Sequence, residues 1–150
     1  RSLAELKARK PFELYGYCLL NNHFHLLLRP LGDSVSRIMQ SLLVSHTQRY
    51  HKHYQSGGHV WQGRFKSPVV QNDEHLLTVL RYIEANPLRA KIVPRAEEYA
   101  WSSYRVHGLG EANELVDSLR RQGTNCCTAS DSTETPIPNC ASCEREAPIG

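Results

Sequence analysis

Several things are missing from this 150-residue sequence, and each absence excludes a class of protein. No apolar run approaches the ~18 residues that a bilayer-crossing helix needs, so no membrane partner is expected. The start shows no secretory signal pattern. Up to residue 125 there is one cysteine, Cys18, which sits in an apolar strand-like run and reads as a small buried hydrophobe. The total of five is odd, which with the missing signal fits a reducing cytoplasm. There is no internal repeat. After residue 110 there is no histidine at all, although the chain holds eight.

Charge is equally uneven. Residues 1–110 carry 15 Lys/Arg against 8 Asp/Glu, and residues 111–150 carry 3 against 7. A basic body of net +7 with an acidic tail of net −4 points to a polyanionic partner for the body. A basic surface that merely aids solubility has the same composition. The shift in composition predicts a folded domain over 1–110 and an acidic, Cys-containing, disordered tail over 111–150. The tail holds Cys126-Cys127 and Cys140-x-x-Cys143; adjacent cysteines are a poor half-site for zinc, so an unselected tail is preferred.

The body reads as alternating helix and strand. Residues 1–9 resemble a helix end broken by Pro11. Residues 13–20 and 23–29 read as strands joined at Asn21-Asn22, since asparagine tolerates the positive φ of tight turns. Asp33 or Ser34 can cap a helix to about residue 54, with Val35, Ile38, Met39, Leu42, Leu43 and His46 on one face. Residues 64–71 read as an edge or irregular strand because of Pro68. Asn72 or Asp73 can cap the next helix, whose apolar face is Leu76, Val79, Leu80 and Ile83. It is expected to end near Asn86, before Pro87, with a short helix or turn over 87–93. Trp101-Ser-Ser-Tyr104 reads as a capped helical turn.

The most informative stretch is Asn21-Asn-His-Phe-His-Leu-Leu-Leu28. Strand side chains alternate, so His23 and His25 share a face while Phe24 and Leu26 take the other. Two such imidazoles can grip one divalent ion, although a His-x-His pair is also common on ordinary surfaces. Tyr82 and Asn86 are neighbours one helical turn apart. An amide oxygen suits Mg2+ or Mn2+. A phenol beside a metal-bound phosphate could attack phosphorus. Equally, Tyr82 could be a packing residue and Asn86 a helix cap.

Four stretches together carry a resemblance. They are Tyr15-Gly-Tyr-Cys-Leu-Leu-Asn-Asn-His-Phe-His-Leu-Leu-Leu-Arg-Pro30, Val60-Trp-Gln-Gly-Arg-Phe-Lys-Ser67, Leu80-Arg-Tyr-Ile-Glu-Ala-Asn-Pro-Leu-Arg-Ala90 and Trp101-Ser-Ser-Tyr104. In this order, over roughly residues 11–108, the chain resembles the REP-associated tyrosine transposases, single-tyrosine members of the HUH endonuclease superfamily. The resemblance implies an α+β fold with a ferredoxin-like antiparallel sheet and packed helices. It implies a metal-dependent single-stranded DNA nickase and strand-transferase, with Mg2+ or Mn2+ on His23, His25 and Asn86. Tyr82 would be the nucleophile, forming a 5′-phosphotyrosine link and releasing a 3′-hydroxyl. The partner would be single-stranded or hairpin DNA, the location the cytoplasm at the nucleoid, and the state monomer or homodimer.

Under this reading Arg37, Arg49, Arg64, Lys66, Arg81 and Arg89 are candidates for phosphate contacts, and Trp61 either stacks on a base or is structural. The chain starts inside what resembles the family's first helix, so the first strand of the sheet is expected to be missing and a sheet edge exposed. Two rivals follow: a truncated remnant that binds hairpin DNA without cutting it, and a metal-dependent phosphodiesterase that uses water in place of Tyr82.

Overall fold

The computed structural model describes residues 2–119 and 126–130. The elements are α1 (Ser2–Arg9), β1 (Phe12–Leu19), β2 (Phe24–Pro30), α2 (Val35–Tyr54), β3 (Val69–Val70), α3 (Asp73–Arg89), a 3-10 turn (Ala96–Glu98), α4 (Tyr104–Leu109) and β4 (Cys126–Ser130). The fold is α+β, as expected.

β1 and β2 form an antiparallel hairpin from Phe12 opposite Pro30 to Leu19 opposite Phe24. Its turn closes with the Leu20 N–H donating to the His23 carbonyl at 2.8 Å. Neither asparagine of the turn takes a positive φ, contrary to expectation. The register slips between Leu14 and Gly16, leaving Tyr15 as a bulge. The slip presents Gly16 to α3: a Cβ there would lie 2.4 Å from Leu80 Cδ1, so any larger residue forces the Leu80 side chain or the helix to shift.

β2 is the spine of the sheet. Leu26, Leu27 and Leu28 are fully buried on alternate faces, each contributing about 1.5–3 kcal/mol by leaving water. Leu26 and Leu28 join Leu6 of α1 and Ile38, Met39 and Leu42 of α2. Leu27 joins Leu76, Val79, Leu80 and Ile83 of α3. α1 and α2 therefore cover one face, and α3 covers the other.

The strand order is β1-β2-β4-β3, antiparallel at every step. β4 pairs with β2 from His25 opposite Ser130 to Leu28 opposite Cys127, and with β3 at Val69 and Val70. β2 thus has a strand on both sides, and the exposed edge expected from a missing first strand is not found there. β2 and β3 run parallel with β4 between them, a split β-α-β arrangement. The expected strand over 64–71 shrinks to two residues after Pro68, which lacks an N–H for the ladder.

The boundary near residue 110 also differs from the compositional reading. Asp117 Oδ2 accepts from the Leu14 N–H at 2.7 Å and pairs with Lys7 Nζ at 2.5 Å. Leu115 packs on the α1/α2 core and Leu119 on the α3 core. Composition alone cannot show that one aspartate fits an unpaired β1 N–H. The rest of the tail, including Cys140 and Cys143, lies outside the described residues, and Cys126 and Cys127 are described only as strand backbone.

Candidate active site

The β2 alternation puts His25 on the α3 face, 1 % exposed. Its Nδ1 and Nε2 are both buried and make no hydrogen bond among the described residues. Burial, helped by His23 nearby, pushes its pKa down to about 3, so the ring is neutral and keeps a lone pair for a ligand. A buried polar ring without partners costs stability, and a bound ligand or ion is one way to account for it. The His23 ring lies 5.2 Å away, edge to face. Its Nδ1 is 2.6 Å from Asn22 Oδ1. An oxygen acceptor there requires the Nδ1–H tautomer, which puts the lone pair of the ring on Nε2.

α3 delivers the other two residues. Asn72 caps it, its Oδ1 accepting from the His75 N–H at 2.8 Å. The expected Leu76, Val79, Leu80 and Ile83 are its buried face. Tyr82, at the border of that face, stands 6.1 Å from the His25 ring centroid, again edge to face. The Arg89 guanidinium lies over its ring at 4.8 Å. Asn86 is buried on the next turn, its Nδ2 donating to the Tyr82 and Ile83 carbonyls at 2.9 and 3.2 Å. The helix does not stop at Pro87 as expected but runs on to Arg89.

His23, His25 and Tyr82 are therefore brought together, with Asn86 one turn beyond Tyr82. Among the described residues, no group of three or more His, Cys, Asp or Glu could hold a metal. The residues that could hold one are the imidazoles of His23 and His25 and the amide of Asn86, and the unpartnered nitrogens of His25 fit that role. Such a set leaves positions open for substrate oxygens.

The six cations do not line one groove. Arg37 pairs with Asp33 at 3.6 Å, and Arg49 with Glu5 across α1 and α2, on the sheet face opposite α3. Arg49 lines a cleft of about 650 Å³ with Glu5, Ala8, Arg9, Ser45, Gln48 and Lys52, away from Tyr82. Arg64, Lys66 and Arg81 are exposed. Arg89 is the one placed against the tyrosine. Trp61 takes the structural role: its Nε1 donates to Thr47 Oγ1 at 3.0 Å, and it packs on Phe24 and His46.

One buried network escaped the sequence reading. Glu84, 6 % exposed on α3, accepts from Ser103 Oγ at 2.6 Å and pairs with His107 Nδ1 at 2.7 Å. Ser103 also accepts from the Tyr17 N–H at 3.0 Å, so its hydroxyl ties α3 to β1 rather than capping α4. Burial, with Glu84 nearby, raises the Cys18 thiol to about 12. The signal was a glutamate on an apolar helix face.

Residues 1–86 match the family described as transposase, IS200 like. This chain belongs to the IS200-like transposases. A protein of Haemophilus influenzae named "Putative REP-associated tyrosine transposase" is 29 % identical to it over 107 residues, 63 % of this chain and 60 % of that protein. The transposase chain thus spans about three fifths of that relative's length. No solved structure matches it. Among its described residues, no helix is long and apolar enough to cross a membrane.

Proposed function

We propose that this chain cuts and rejoins single-stranded DNA at hairpin-forming repeats through Tyr82. The observation that carries the reading is His25, buried and neutral with both ring nitrogens unpartnered among the described residues, beside His23 and the Tyr82 ring. His23, His25 and Asn86 would hold Mg2+ or Mn2+, which supplies Lewis-acid polarisation of a phosphate when bound.

Tyr82 Oη attacks the phosphorus and the bond to the 3′-oxygen breaks. The phenol proton leaves to solvent, and the departing 3′-oxygen takes one up. A 5′-phosphotyrosine and a free 3′-hydroxyl result, and attack by a 3′-hydroxyl on that linkage reverses the step. Arg89 steadies the Tyr82 ring and brings a fixed positive charge close to the phenol. Packing of α3 against β1 and β2 keeps Tyr82 facing His25.

Incubating the chain with labelled hairpin DNA and Mn2+, then separating under denaturing conditions, tests this. A slow covalent band that Tyr82→Phe abolishes is the expected result. The rival reading is a protein that binds hairpin DNA without cutting it. DNA binding with no band under any divalent metal would establish that rival.

A further inference from the structure

We propose that Asn86 and Pro87 work as one unit, with Pro87 a positioning residue that orients the Asn86 amide. The inference rests on the proposed reading that Asn86 Oδ1 is a metal ligand.

In a helix the N–H of residue 87 donates to the carbonyl of residue 83. Proline has no N–H, so Pro87 deprives the Ile83 carbonyl of its helical donor. Ile83 and Pro87 are both buried, which leaves little room for water to serve instead. The Asn86 side chain fills the gap: Nδ2 reaches the Ile83 carbonyl at 3.2 Å and the Tyr82 carbonyl at 2.9 Å. Both contacts are carbonyl oxygens, so the group facing them must be the NH2.

The amide oxygen is therefore turned away from the helix backbone. Its orientation is set before any ligand arrives, and little rotamer freedom remains to be lost on binding. The same bond lets α3 pass Pro87 and place Arg89 over Tyr82. An N–H at position 87 would take the Ile83 carbonyl and release the amide.

Two measurements on the full chain test this. The first is made in EDTA, where no metal contributes. Asn86→Asp removes both donors but keeps the size of the side chain. It should lower the melting temperature in the parent chain and have little effect in the Pro87→Ala background, where the backbone N–H returns. Equal losses in both backgrounds would overturn the coupling. The second is Mn2+ affinity, followed by the resonance of the free ion. Pro87→Ala should weaken binding about three- to tenfold without lowering the melting temperature, a pairing that a merely structural proline would not produce. Unchanged affinity in Pro87→Ala, with binding lost in Asn86→Ala, would leave Asn86 a ligand and remove the role of Pro87. Parent protein that binds no Mn2+, or binds it equally well as His25→Ala, would overturn the metal reading itself.

Discussion

Replacing His25 by leucine should stabilise the metal-free protein while removing its chemistry. Both His25 ring nitrogens are buried without a hydrogen bond among the described residues. Each unsatisfied polar atom costs about 1–3 kcal/mol, and an apolar side chain of similar size avoids that cost. Against this, the ring contacts with His23 and Tyr82 are lost, each worth about 0.5–1.5 kcal/mol at most. The balance is a gain of about 1–2 kcal/mol at pH 7.5 in EDTA, read by urea unfolding.

The pH dependence sharpens the test. Folding lowers the His25 pKa from 6.5 to about 3. Between those values the unfolded chain binds a proton that the folded chain does not, so wild-type stability falls as pH falls below 6.5. The loss is about 1.4 kcal/mol per pH unit, or roughly 2 kcal/mol at pH 5. His25→Leu lacks this loss, so its advantage should widen by that amount. A variant less stable than wild type at pH 7.5, whose deficit does not shrink at pH 5, would refute the reasoning. It would mean that His25 has a polar partner in the folded protein.

Three further outcomes are expected. Arg89→Ala should slow formation of the covalent DNA species about two- to fivefold in single-turnover assays, the worth of one exposed cation–π contact, with the fold unchanged by circular dichroism. Gly16→Ala should cost about 1–3 kcal/mol in urea unfolding, because the new methyl meets Leu80 Cδ1 at 2.4 Å and Ser103 Oγ at 3.2 Å. Ser103→Ala should cost about 1–3 kcal/mol by the same measure, since Glu84 and the Tyr17 N–H lose a buried partner; a neutral result would show that water replaces the hydroxyl.

The local pattern of the sequence determined much of this molecule. A two-residue period placed His23 and His25 on one side of β2, and the structure has them there because alternation is a property of any strand. The 3.6-residue period identified the buried faces of α2 and α3. Ser34 and Asn72 were each legible as one of two neighbouring cap candidates, because a cap needs only its own side chain and the N–H a turn away. The pairing of Tyr82 with Asn86 follows from the helical repeat alone.

Tertiary structure decided the rest. Whether α3 ends at Pro87 depends on a donor for the Ile83 carbonyl, and the Asn86 side chain supplies it. Which cations lie near Tyr82 depends on which sheet face each helix covers, so Arg89 qualifies and Arg37 and Arg49 do not. The attachment of residues 111–119 turns on Asp117 meeting an N–H about a hundred positions away. The buried Glu84 needed Ser103, just before α4, and His107 within it. Each of these is a single polar contact between distant parts of the chain, and no periodicity records such a contact. Apolar faces repeat along a sequence and can be read from it; the partners of buried polar groups are chosen only when the chain closes on itself.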